Sequence, residues 1–131
     1  MTIWSEQQVA SVGKAVDAVA EQLVELSHAI SADPELAYAE QRAAARCADV
    51  LAQAGFDVER EAYGQPTAFA ARAGSSGPHV VVCAEYDALP GVGHACGHNI
   101  IAASAVGAGL ALRPLVDEVG LRLTVLGTPA E

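Results

Sequence analysis

His94, Cys96 and His98 alternate along the segment His94-Ala95-Cys96-Gly97-His98-Asn99, which places three potential metal ligands within five residues. A thiolate and an imidazole suit zinc and tolerate neighbouring transition metals, and Gly97 allows the backbone to bend so that Cys96 and His98 face one point. A helix beginning just after the loop would also favour the thiolate form. Cys96 and His98 are the candidate metal ligands. His94 is better suited to holding the loop by hydrogen bonding or to touching substrate. A Cys-x-His triplet alone is a weak motif. Its weight comes from the acidic pair Glu85 and Asp87 in the preceding string Ala84-Glu85-Tyr86-Asp87-Ala88-Leu89-Pro90.

A carboxylate in that position can ligate a metal or accept the second ring hydrogen of a ligating histidine, fixing its tautomer and orientation. The outer, orienting role is assigned to Asp87. Glu85, His94 and Asn99 remain supporting or substrate-facing candidates. The bland alternative is a pair of solvated turn residues ahead of Leu89-Pro90. The third cluster is Gly127-Thr128-Pro129-Ala130-Glu131. Beside a bound cation, the Glu131 carboxylate could take a proton from water and pass it to a leaving amine, provided burial raises its pKa toward the working pH. Asp87 and Glu131 are therefore the candidate catalytic carboxylates. Against this, Glu131 is the last residue and could simply be a frayed end.

The elements that must position these clusters can be read from periodicity. Ser5 followed by Gln8 has the form of a capping box, and Val9, Val12, Val16, Val19, Leu23, Leu26 and Ile30 recur at helical spacing, which predicts one amphipathic helix. Ser31-Ala32-Asp33-Pro34 breaks it, and a second helix is expected from Pro34 to Ala54, stopped by Gly55. Phe56 to Arg60 and Thr67 to Arg72 read as paired strands. His79 to Ala84, with its apolar β-branched run, reads as a central strand covered on both faces. Asn99 is expected to cap a helix through Leu112, and Leu121 to Leu126 to form a last strand. The fold class is α/β, with helices packed on a mixed, largely parallel sheet. Glu85, Asp87 and Glu131 would then lie past the carboxyl ends of strands, where open α/β sheets bind their ligands.

Composition sets the bounds. The 131 residues are 52% hydrophobic, enough for one domain with a core, and only 5% are aromatic, so the core is expected to be built of small side chains. A formal net charge of −9 repels phosphate backbones and anionic lipid, which argues against nucleic-acid and membrane-surface partners. Cys47, Cys83 and Cys96 are an odd number without a disulfide pattern, and a reducing cytoplasm fits them. Cys47 and Cys83 are expected to pack as small hydrophobes, and His28 and His79 to be ordinary structural or surface residues. The stretch Met1 to Glu6 has no export-signal character. Ile100 to Leu112 falls short of the roughly 20 residues of a membrane span and reads as a buried helix.

The strings AEYDALPGVGHACGHN and GTPAE, with Asp33-Pro34-Glu35-Leu36 and Glu40, resemble the aminoacylase and carboxypeptidase type of dinuclear metallopeptidases. Within that family they look most like the amidohydrolase branch of aminobenzoyl-glutamate hydrolases and β-alanyl dipeptidases. The match runs from about residue 10 to the last residue. The resemblance implies a three-layer hydrolase-like catalytic domain interrupted by a lid or dimerisation domain, and a homodimer in the full-length form. It also implies two zinc or manganese ions and a small amide or dipeptide substrate. By resemblance Cys96 and His98 are metal ligands and Glu131 is the general base. The family's next ligand, a second glutamate directly after the base, and further histidines would follow Glu131. The chain is thus expected to be the N-terminal part of the catalytic domain and inactive alone. Where many relatives carry Asp-Met-Asp, this chain has Glu85-Tyr86-Asp87, and it has Asn99 and Ile101 where they carry aspartate and histidine. These variants resemble the aminobenzoyl-glutamate and dipeptidase subgroup. Two further readings compete: a non-enzymatic module holding one metal, and a thiol hydrolase with Cys96 as nucleophile.

Overall fold

The computed structural model describes residues 4–131, so the Met1 to Ile3 part of the export-signal reading lies outside the described residues. The chain runs α1 (Glu6–Ala18), α2 (Ala20–Ala32), α3 (Gln41–Gln53), β1 (Asp57–Arg60), β2 (Phe69–Ala73), β3 (His79–Glu85), α4 (His98–Leu112), α5 (Val116–Val119) and β4 (Arg122–Thr128). The four strands form one mixed sheet in the order β1-β2-β4-β3, with β3 and β4 parallel and the other pairs antiparallel.

The α/β reading with a mixed sheet holds, but among the described residues the sheet is mostly antiparallel rather than largely parallel. The reason is that β1 and β2 form a hairpin-like pair and β2 joins β4 antiparallel, leaving β3–β4 as the parallel pair. Other details change as well. The capping box at Ser5 is present, but the expected single helix divides at Val19, whose backbone leaves the helical region (φ −111°, ψ 9°). Periodicity reports which way a face points, not whether the backbone is continuous. The two halves also have different environments: α1 buries no residue, whereas α2 sets Leu26 and Ile30 into the core.

The second helix does not start at Pro34. Residues 33–40 form an irregular strap with a turn at Ala37-Tyr38 instead, because tertiary partners compete for them: the Ala88 N–H donates to the Glu35 carbonyl, and Leu36 bridges in parallel to Ala88. The Glu35 side chain, buried, accepts from the Arg42 and Ala43 N–H groups and so caps α3 from outside it. Asp33 is paired with Arg42 at 2.6 Å and with Arg46 at 3.2 Å, and the Arg42 hydrogen bond chiefly holds its carboxyl below the usual range. The strap is thereby stitched to α3 on one side and to the loop after β3 on the other.

β3 is not central. Within the described residues it lies at the edge of the sheet, and β4, the last strand, lies between β2 and β3. Val80 and Val81 remain 41% and 47% exposed, and Cys83 is exposed rather than packed. A β-branched run shows that a segment suits a strand; it does not encode which strands will flank it. Cys47, by contrast, is fully buried as expected.

The core sits between the sheet and α2, α3 and α4, and small side chains dominate it: Ala43, Ala44, Ala48, Ala71, Ala84, Ala102 and Ala105 pack with Ile30, Leu51, Phe69, Tyr86, Val106, Leu123 and Val125. The helical stretch His98–Val119 is long and apolar enough by composition to cross a membrane. Here Ala102, Ala105, Val106 and Ala111 bury it as a core helix. Pro114 does not end the helical path, which continues through a 3-10 turn, Arg113–Leu115, into α5.

Candidate metal and catalytic site

Parallel pairing of β3 with β4 brings their carboxyl ends together, with Glu85 opposite Thr128. Asp87 follows β3 by two residues and Glu131 follows β4 by three, so both acidic segments emerge at one sheet edge. The loop after Asp87 carries His94 and Cys96 and ends at Gly97, whose left-handed backbone (φ 77°) turns the chain into α4. Gly97 occupies the cap position of α4 and no side chain caps that end. The expected cap, Asn99, lies inside the helix and donates instead to the Ser27 hydroxyl at 2.9 Å, tying α4 to α2. Asn99 thus has a packing partner remote in sequence, and a cap role is ruled out.

His98 and Asp87 form the best-defined pair. His98 Nδ1 lies 2.8 Å from the Asp87 carboxylate and 3.0 Å from the Asp87 carbonyl oxygen, and both are acceptors, so the proton is placed on Nδ1. Nε2 is then a bare lone pair. It faces Glu85 Oε2 at 3.3 Å, another lone pair. Two acceptors at that separation repel unless a proton or a cation lies between them, and the same arrangement orients an imidazole for a metal. His94 adds a second unsatisfied group: both of its ring nitrogens are buried without a hydrogen-bond partner. Burial foremost, then the nearby His98, pulls the His94 pKa below its ordinary value, with Asp87 and the Ile30 backbone acting in the opposite direction.

The donor set therefore fits a divalent cation in kind. It is incomplete in number: among the described residues no three His, Cys, Asp or Glu side chains gather closely enough to hold an ion by themselves. Cys96 is exposed on the loop two residues before His98.

Glu131 is exposed rather than buried, so the burial expected for a general base is not supplied by these residues. Its backbone is nonetheless tethered. The Glu131 N–H donates to Asp87 Oδ1 at 3.3 Å, and the Ala130 N–H donates to Glu40 Oε1 at 2.9 Å. Asp87 consequently touches both His98 and the Glu131 backbone. Glu40 is fully buried, with its second oxygen unpartnered, and sequence reasoning gave it no site role. The available signal was its position beside the Pro34-Glu35-Leu36 string, but nothing local points it toward a residue 90 positions away.

No protein-family model matches the chain. Among curated proteins it is 42% identical over 130 residues to a mouse Xaa-Arg dipeptidase, covering 88% of this chain and 30% of that protein. It is 30% identical over 139 residues to a p-aminobenzoyl-glutamate hydrolase of Escherichia coli, covering 92% and 29%. The chain thus spans about a third or less of the curated relatives it matches. Among solved structures, a Bacillus subtilis dinuclear metal-binding peptidase from the M20 family superposes with a TM-score of 0.78 at 23% identity, over 88% of this chain and 36% of that one. An aminobenzoyl-glutamate utilization protein from Klebsiella pneumoniae gives 0.75 at 17% identity, over 92% and 39%. These two share the fold.

Proposed function

Since this chain is homologous to the N-terminal portion of M20-type metallopeptidases and amidohydrolases, we propose that it contributes one half of a metal centre that hydrolyses amide bonds in dipeptides or N-acyl amino acids. The observation that carries the reading is the shared Asp87 carboxylate, which accepts from His98 Nδ1 and from the Glu131 backbone. It couples the candidate ligand to the candidate base.

In this reading the His98 Nε2 lone pair and the Cys96 thiolate would help hold two divalent ions, zinc or manganese, with other donors completing the sites. When bound, such ions polarise a carbonyl and make water a better nucleophile at neutral pH. Asp87 keeps the His98 proton on Nδ1, so that the ring presents its lone pair in a fixed direction. Glu131 accepts a proton at its carboxylate and returns it to the departing amine nitrogen. Glu40 and Asp87 set where that carboxylate starts from, by fixing the backbone of the Pro129-Ala130-Glu131 turn.

Calorimetric titration of the chain with zinc, read beside activity, tests this. Cys96→Ser and His98→Ala are expected to abolish the strongest site. Asp87→Asn should weaken it by about 10- to 100-fold, the usual consequence of losing the carboxylate behind a ligating histidine. Cys83→Ser should change nothing. With a donor set this incomplete, the chain alone should not turn over a dipeptide even when saturated with metal. Turnover by the isolated chain, or zinc binding indifferent to Cys96 and His98, would contradict the reading. Hydrolysis that survives chelators and is blocked by alkylation would favour the thiol enzyme instead.

A further inference from the structure

Glu85 is the last residue of β3 and pairs opposite Thr128, so the sheet ladder fixes its backbone. His98 is the first residue of α4, and its ring is held by two Nδ1 contacts to Asp87. Two regular elements therefore bring Glu85 Oε2 to 3.3 Å from His98 Nε2, with the side chains only 27% and 13% exposed. Little water is left to separate the two lone pairs.

The distance discriminates between the ways in which such a pair is reconciled. A charge-assisted hydrogen bond from a protonated ring to a carboxylate closes to about 2.7–2.9 Å. The Asp87 side of the ring meets that length at 2.8 Å, and the Glu85 side, at 3.3 Å, does not. Two donors on one tetrahedral zinc ion, each about 2.0–2.2 Å from the metal, stand about 3.3–3.5 Å apart. The observed separation matches that spacing without movement of either element. The distribution of charge points the same way. The ion pairs of Arg42, Arg46, Arg60 and Arg72 go to Asp33, Glu35, Asp49 and Glu59, so none of them offsets the Glu85 carboxylate. Asp87 is committed to His98 Nδ1 and to the Glu131 N–H. Glu85 is the carboxylate left to face the other nitrogen, and an aspartate in its place would end one methylene short.

We propose that Glu85 is itself a metal ligand, its Oε2 binding the same divalent cation as His98 Nε2. The assignment rests on the function proposed above, which makes His98 a ligand, and it moves Glu85 from a supporting place to the ion itself.

The test is zinc calorimetry and cobalt(II) absorption on the 131-residue chain, with thermal midpoints measured in chelator and in zinc, for the parent and for Glu85→Gln, Glu85→Ala and Glu85→Asp. Glu85→Gln and Glu85→Ala should each weaken zinc binding by more than the about 10- to 100-fold expected of Asp87→Asn, and Glu85→Asp should weaken it as well. The cobalt spectrum at saturation should change in Glu85→Ala and stay near that of the parent in Asp87→Asn, since only the loss of a coordinating atom alters the ligand field directly. In chelator the Glu85→Gln midpoint should hold or rise, because an amide N–H can donate to Nε2 where a carboxylate oxygen only repels it. Zinc should raise the parent midpoint well above that of the variant. A midpoint that falls in chelator while zinc affinity is unchanged would show an ion pair to a protonated ring and overturn the proposal. So would a saturated cobalt spectrum indifferent to Glu85→Ala. Zinc binding lost in His98→Ala and Cys96→Ser but indifferent to all three Glu85 variants sinks this assignment alone. Binding that needs Glu85 and His98 but not Cys96 contradicts the donor set given above while the assignment stands, and a parent chain that binds no zinc refutes both.

Discussion

Asp87 illustrates how much a single carboxylate can organise when strands run parallel. It is buried, accepts from His98 and from the Glu131 backbone, and sits two residues beyond a strand whose last residue, Glu85, faces the other nitrogen of the same imidazole. The three cysteines make a contrasting residue-scale case, since only their surroundings distinguish them. Cys47 is fully enclosed in α3, and burial pushes its thiol up to about 12, whereas Cys83 and Cys96 are exposed. The thiolate is the reactive form, and an elevated pKa combined with enclosure removes it at neutral and mildly alkaline pH. Native-state alkylation at pH 8 followed by mass spectrometry should therefore modify Cys83 and Cys96 and spare Cys47 until the chain is unfolded. Modification of Cys47 at a rate similar to the others would show that the α3 core opens far more readily than its packing implies.

At the scale of elements, the close packing of small residues sets what each helix and strand tolerates. Gly127, in β4, lies directly against the Phe69 ring and the Tyr86 hydroxyl, and an added Cβ would overlap both. Neither can retreat: Phe69 and Tyr86 are buried and stacked with centroids 6.1 Å apart, and the Tyr86 hydroxyl donates to the Thr67 carbonyl. Gly107, in α4, would place its new Cβ against the flexible end of Leu23, which is only partly buried. Gly127→Ala should cost about 1–3 kcal/mol, the usual penalty of overpacking a well-filled core. Gly107→Ala should be near neutral, because the gain in helix propensity of up to about 1 kcal/mol offsets the shift of Leu23. Urea denaturation midpoints of the two variants check the ordering, and an equal loss in both would mean that the α2–α4 contact is as rigid as the sheet.

For the molecule as a whole, the outer edge of β3 is the exposed liability. Among the described residues no strand pairs with that side, and the edge carries the half-exposed Val80 and Val81. Unpaired backbone groups beside β-branched side chains form a template for another strand. The chain in isolation should accordingly self-associate as its concentration rises, and Val81→Lys should suppress this without loss of helical signal. Sedimentation velocity over a concentration series reads the effect, and a chain that stays monomeric throughout, with or without the lysine, would show the edge to be inert.

Sequence alone singled out the candidate chemistry and some of the local elements. The candidate residues between His94 and His98, the Asp87 and Glu131 carboxylates, the α3 stop at Gly55 and the β1–β2 pair are legible in residue types and short-range periodicity, which act over a few residues. Tertiary structure decided the rest: that β4 and not β3 is flanked on both sides, that the strap at 33–40 stays non-helical, that Asn99 binds Ser27, and that Glu40 reaches Ala130. Each of these depends on partners brought together from distant parts of the chain. Their competition with local preference is settled only when the sheet and helices pack, because a hydrogen bond or strand pairing across the fold carries no trace in the spacing of neighbouring residues.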